Sequence, residues 1–367
     1  MPPLLTVQEQ FSKVLNRRHV TKEEADSSSN ELRWLVLTHP CPPELRGWIW
    51  KVFLELEVSA SCYISLVHRG ASSRDAEIRN DTSRTMTTDT TFIEHVSEDM
   101  LIRILNAFVW ISDQNGRLGD TSEELQLRLC LHRGATGELA YVQGMNVLAA
   151  PFLTVLPEME AFYAFSKLLW HWCPLYVRST LKGVHCGLKL VDMCLRTLDP
   201  ELYGYLLGKG LSASMYAFPS VLTFSACTPP LSELLRLWDV MFAFGFHLNI
   251  LFIISQLALV RDEIMATSSP MKILRKLPSL KADAIIPLTL ASHKKLPPNL
   301  FDLLVRHLYD ETVADELGIE VTAISQARDR RALPAFMAEA RNLSIPQLSS
   351  SSTSSGSSNS SSSNNGT

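Results

Sequence analysis

The sequence predicts an all-α protein, a continuous array of many helices, on three observations. Apolar residues recur at i, i+3, i+4 and i+7 in one segment after another, the spacing that lines one face of a helix. Prolines punctuate these segments at Pro157, Pro174, Pro200, Pro219, Pro229-Pro230 and Pro297-Pro298, as helix boundaries require. Alternating runs bounded by Asn-Gly or Asp-Gly, which would signal a hairpin, are not apparent.

Taken in order, residues 1–39 read as an N-terminal helical extension. Their opening stretch lacks a basic segment followed by an apolar run, so no secretory signal is expected. Ser97 is placed to cap a helix carrying Leu101, Ile104, Leu105 and Phe108, which Gln114-Asn115-Gly116 would end. Thr121 with Glu124 three residues on resembles a capping box opening the next short helix. Helical spacing continues over 162–172, 188–198, 231–242 and 300–309.

Residues 241–260 form a run without formal charge, long enough to span a bilayer. His247, Asn249, Ser255 and Gln256 interrupt it, and Asp239 and Arg261 flank it, so one buried helix in a soluble domain is expected. Residues 40–265 are expected to form the domain core. The part from 266 to 348 would belong to the same domain, with Leu300, Leu303, Leu304 and Leu308 facing its interior. Residues 349–367 hold 12 serines among Asn, Gly and Thr, and no charged residue follows Arg341. Such a tail buries too little apolar area to offset chain entropy and should be disordered.

Charge and cysteine usage exclude several classes. The formal net charge is −4, and no basic stripe stands out, which argues against nucleic acid as a partner. The seven cysteines are never spaced C-x-x-C, so a zinc ribbon or thioredoxin-like motif is not expected. They fit reduced thiols of a cytosolic or nuclear compartment. Gly204 to Gly208-Lys209-Gly210 approaches a phosphate loop, but three residues separate the glycines where four are needed, and Gly210 stands where a Ser or Thr holds magnesium. Gly210-Leu211-Ser212-Ala213-Ser214 lacks the closing glycine of a nucleophile elbow. His171 with Cys173, and His185 with Cys186, have no second pair at metal spacing.

Four separated strings carry the chemistry. Arg46-Gly47-Trp48-Ile49-Trp50 comes first, then Ile78-Arg79-Asn80-Asp81-Thr82-Ser83-Arg84-Thr85. Tyr141-Val142-Gln143-Gly144-Met145-Asn146 and Leu234-Leu235-Arg236-Leu237-Trp238-Asp239 follow. Together these resemble the R-G-x-x-W, I-x-x-D-x-x-R, Y-x-Q-G-M and R-x-W-D signatures of the TBC-domain GTPase-activating proteins of the Rab-GAP type, in the same order. The resemblance implies a two-lobed, all-helical domain and a small GTPase of the Ras/Rab kind, in its GTP form, as partner.

The chemistry such a protein serves can be stated in general terms. GTP hydrolysis spreads charge over the γ-phosphoryl oxygens in its transition state, and an arginine supplied in trans neutralises it with an always-protonated fork of donors. A carboxamide offers a donor and an acceptor with which to orient the attacking water. Trans-arginine effects of about 10³ to 10⁵ in rate correspond to roughly 4 to 7 kcal/mol of barrier. By carry-over from the matching positions, Arg84 would be the arginine finger and Gln143 the glutamine finger. Asp81 would support the finger loop or cap a helix N-terminus; Tyr141 and Met145 would pack the loop, and Gly144 would let the backbone approach closely. Arg46, Trp50, Trp238 and Asp239 are assigned to the scaffold, Arg46 pairing with a carboxylate or a helix C-terminus. No cofactor is expected, since GTP and magnesium belong to the partner GTPase, and the chain itself should hydrolyse no nucleotide.

Finer details, I-R-N-D-T-x-R-T and Y-V-Q-G-M-N-V-L with Val147 where many relatives carry Asp, resemble the mitotic-exit checkpoint branch of the family. That resemblance implies a compact subunit working with a second, non-TBC protein as a bipartite activator. It further implies a cytoplasmic protein at the spindle pole body that restrains mitotic exit and septation. Two alternatives stay open on the sequence: a non-catalytic TBC scaffold, and a Rab activator in membrane traffic.

Overall fold

The computed structural model describes residues 5–86, 89–113 and 141–320, and every regular element among them is helical. Thr6 and Thr21 each open a helix with a complete capping box closed by Glu9 or Glu24, giving α1 (Val7–Leu15) and α2 (Lys22–Thr38). Pro43 then starts α3 (Pro43–Leu54), a position where its missing N–H costs nothing. Next come α4 (Ala60–His68), α5 (Asp75–Thr82) and α6 (Thr90–His95). Helix α7 (Glu98–Asp113) begins as the sequence predicts, with the Ser97 hydroxyl accepting the Met100 N–H at 3.3 Å. Leu101, Ile104, Leu105 and Phe108 are all buried. The turn expected at 114–116, the capping box at Thr121 and the tail at 349–367 lie outside the described residues.

Helices α8 (Met145–Val155) and α9 (Glu158–Lys167) follow. The helix expected over 162–172 is α-helical only to Lys167. From Leu168 to Trp172 it widens into a π-turn, with the Cys173 N–H donating back to Leu168 O at 3.0 Å. A 3.6-residue pattern does not distinguish one wider turn from its neighbours. Beyond it run α10 (Lys182–Leu198), α11 (Pro200–Gly208), α12 (Ala213–Tyr216) and α13 (Phe218–Leu222). Gly204 and Gly208 lie inside or at the end of α11 and Lys209-Gly210 form the turn after it, so the near-phosphate-loop is the end of a helix.

The run at 241–260 is two helices where one was expected. Helix α14 (Leu231–Phe244) stops at Gly245, whose φ of +117° only glycine adopts freely, and α15 (Leu248–Leu259) starts afresh. No helix among the described residues is long and apolar enough to cross a membrane. The chain continues through α16 (Arg261–Ala266), α17 (Met271–Leu274), α18 (Ala282–His293), α19 (Pro298–Arg306) and α20 (Thr312–Glu316). All of these helices belong to one compact unit. Helix α19 ends at Arg306, three residues before the expected 309; Leu300, Leu304 and Leu308 are buried as predicted and Leu303 is partly so.

Two packing arrangements position the site. Helix α8 lies against α3, α5, α6, α7 and α9, which fixes it on several sides. Gly47 lets α3 approach its far end: a Cβ there would stand 2.8 Å from Val155 O and 3.0 Å from Leu156 Cδ2. Beneath, Trp50, Phe152, Trp238 and Phe242 interlock, with ring centroids 4.6 Å apart for Trp50 and Phe242 and 5.4 Å for Phe152 and Trp238. Each such ring buried contributes roughly 1.5–3 kcal/mol and holds α3, α8 and α14 in a fixed relation.

Candidate functional site

Helix α5 ends at Thr82, and the chain turns through Ser83, Arg84 and Thr85 to Met86. Asp81 sits in the last turn of α5, so it does not cap a helix N-terminus. Its buried carboxylate faces two donors. Oδ1 accepts from Arg84 Nη2 at 2.5 Å, and Oδ2 accepts from the Tyr141 hydroxyl at 3.1 Å. The Asp81 side chain is 8% exposed and that of Arg84 34%, so the guanidinium reaches from a buried anchor toward solvent. Burial, together with the neighbouring Asp81 carboxylate, pushes the Tyr141 phenol pKa well up, so at neutral pH it is a fixed donor.

The segment bearing Gln143 meets this loop at the start of α8. Gly144, at φ +107°, occupies the N-cap position; a Cβ there would meet Leu222 and Thr223 at ordinary van der Waals contact, so it is the backbone angle that favours glycine. Tyr141 is buried; Gln143 is partly exposed, and its carboxamide makes no hydrogen bond among the described residues. The Met145 side chain turns back so that the Val142 N–H approaches its sulfur at 3.2 Å. Asn146, one residue further, joins both segments. Its Nδ2 donates to Asp81 O at 3.2 Å and to Thr85 Oγ1 at 2.8 Å, and its Oδ1 accepts from the Gly144 N–H at 3.2 Å.

The structure therefore brings Asp81, Arg84, Tyr141 and Gly144 into one hydrogen-bonded cluster, with Gln143 held in the chain between Tyr141 and Gly144. Sequence reasoning passed over Asn146 and Thr85. The signal that could have found Asn146 is its place two residues after a glycine at a helix start, where an amide side chain can satisfy a free backbone N–H.

The scaffold motifs resolve into definite pairs. Arg46 Nε donates to both oxygens of Asp239 at 3.1 and 3.2 Å, and Trp50 Nε1 donates to Oδ1 at 2.7 Å. Asp239 is fully buried, and desolvation pushes its carboxyl pKa up while Arg46 and Trp50 stabilise the anion. Arg236 bonds the carbonyls of Val36 and Leu37 at the end of α2, a cation at a helix C-terminus. Trp238 donates to Phe224 O at 3.0 Å. These residues hold the floor under α8 and stand apart from the Asp81 cluster.

The fold is all-helical, and the loop bearing Arg84 and the segment bearing Gln143 meet at the head of one helix. Residues 43–265 match the family model of the Rab-GTPase-TBC domain, and the chain belongs to that family. It is 45% identical over 267 residues to cell division control protein 16 of Schizosaccharomyces pombe, covering 72% of this chain and 81% of that protein. It is 38% identical over 299 residues to the mitotic check point protein BUB2 of Saccharomyces cerevisiae, covering 78% and 94%. Among solved structures, the Ypt/Rab-GAP domain of Gyp1p superposes with a TM-score of 0.58 at 15% identity, covering 79% of this chain and 98% of that one. At that identity the likeness speaks for the fold alone.

Proposed function

We propose that this chain stimulates GTP hydrolysis by a Ras/Rab-like small GTPase by inserting Arg84 and Gln143 into its nucleotide site. The observation that carries this reading is the Asp81 carboxylate, which tethers Arg84 on one side and Tyr141, two residues from Gln143, on the other. A partly exposed guanidinium on a buried anchor loses little conformational freedom when it reaches a phosphate, so its charge is delivered oriented. A carboxamide that makes no hydrogen bond among the described residues is available to hold a water molecule. Magnesium and GTP come with the GTPase. The likeness to a cell division control protein and a mitotic check point protein supports a role in restraining mitotic exit. In this reading a second subunit completes the activator, which acts at the spindle pole body.

The test is single-turnover hydrolysis by a panel of GTP-loaded small GTPases, with and without candidate second subunits. One GTPase should respond, and Arg84→Ala or Gln143→Ala should each remove most of the acceleration, about 10³-fold for the arginine, while complex formation persists. Unchanged hydrolysis with both variants would rule out the two-finger mechanism.

A further inference from the structure

We infer that Asn146 is a positioning residue: a side-chain clip that sets the spacing between the Arg84 loop and the Gln143 loop. The inference rests on the two-finger reading for its catalytic consequence and on geometry alone for its structural one. The buried carboxamide spans the two segments. On one side Nδ2 donates to Asp81 O and Thr85 Oγ1, which bracket Arg84 in the chain. On the other, Oδ1 accepts the N–H of Gly144, the residue next to Gln143.

The polarity of the arrangement admits an amide and little else. Thr85 gives its own hydroxyl proton to Asp81 O at 3.0 Å, which leaves an oxygen lone pair to accept from Asn146. Asp81 O accepts only, being a carbonyl, and the Gly144 N–H donates only. A carboxylate at 146 would set an oxygen against Asp81 O, and an apolar side chain would leave the Gly144 N–H and Asp81 O with fewer partners in a buried place. Tyr141 adds a second tie through the Asp81 carboxylate. Two ties at different points fix an angle as well as a distance, which is what two groups converging on one phosphate and one water need.

Thr85→Val and Asn146→Ala are the decisive variants, with Thr85→Ser as the conservative rescue that retains the hydroxyl. In the full chain, hydrogen–deuterium exchange should rise in residues 141–148 on Thr85→Val, although Thr85 lies in the other segment, and stay at the parent level on Thr85→Ser. This arm needs no GTPase; unchanged exchange at 141–148 in Thr85→Val overturns the clip. With the responding GTPase, Asn146→Ala and Thr85→Val should lower the saturating single-turnover rate by about 10- to 100-fold. Affinity for the same GTPase loaded with a non-hydrolysable GTP analogue should move by less than about threefold. Full saturating rates in both variants, with Arg84→Ala and Gln143→Ala impaired, would remove the clip's catalytic role and leave the finger reading standing. Full rates in Arg84→Ala and Gln143→Ala would instead remove the finger reading, and the exchange arm would still decide the clip.

Discussion

Arg46 and Asp239, 193 positions apart in sequence, meet in the core as a charged pair in which one guanidinium nitrogen serves both carboxylate oxygens. Trp50, a second donor, adds a third hydrogen bond to the same carboxylate, so the buried charge is compensated from two turns of α3. Removing the carboxylate leaves a mostly buried guanidinium and an indole N–H without it. Asp239→Ala should therefore lower unfolding stability by about 3–5 kcal/mol, measured by urea denaturation. Replacing both partners together, Arg46→Met with Asp239→Leu, should cost less than the single change.

Tyr141→Phe deletes one hydrogen bond to a charged acceptor and little volume. The expected cost is about 1.5–3 kcal/mol in unfolding stability. The saturating hydrolysis rate should also fall, yet by less than for Arg84→Ala, because Arg84 keeps its own bond to the other Asp81 oxygen. A rate drop equal to that of Arg84→Ala would mean that the tyrosine does more than hold Asp81.

Gly144→Ala forces an L-residue to φ +107° and sets a methyl 3.4 Å from Leu222 Cδ2. Strain at such a position costs about 1–3 kcal/mol, visible as a lower melting temperature. If the backbone relieves it by rotating, Gln143 turns with it, and the hydrolysis rate falls while GTPase binding is retained.

Acid should destabilise this fold through two buried histidines. Leu304 O can only accept, so His307 donates to it from Nδ1, and its Nε2 accepts from the Tyr176 hydroxyl at 2.9 Å; the ring is neutral. Burial pushes the His307 pKa down to about 4; burial, with His307 and His293 nearby, pushes His247 down to about 3. Below about pH 6.5 the unfolded chain binds protons that the folded one refuses. Stability should thus fall as pH drops from about 6.5 toward 4, with a slope of up to about 1.4 kcal/mol per pH unit for each histidine. Urea unfolding at a series of pH values checks this, and His307→Gln should flatten the slope.

What the sequence made legible follows from how far each signal reaches. Ser97 and the apolar residues behind it announce α7 because capping and helical periodicity are local. The prolines named in advance all stand at helix starts for the same reason. The run at 241–260 misled because a single glycine inside an apolar pattern carries only a weak local penalty. Its effect as a break depends on the positive φ that Gly245 adopts, which periodicity does not encode. The ordered motifs located the loops of the candidate site but not their wiring. Asp81 meets Tyr141 across 60 positions and Asn146 meets Asp81 across 65, and no periodicity encodes such pairs.

The close crossing at Gly47 makes α8 a lever. Its eleven residues span about 16 Å, with Gln143 just before one end and the Val155 carbonyl pressed under α3 at the other. The close approach there leaves no slack to absorb an added atom, so a side chain at position 47 must displace either α3 or the rod itself. A displaced rod carries its head along. Substitutions that spoil the alignment of the glutamine loop should therefore arise at the butt of this rod, a helix length away from that loop.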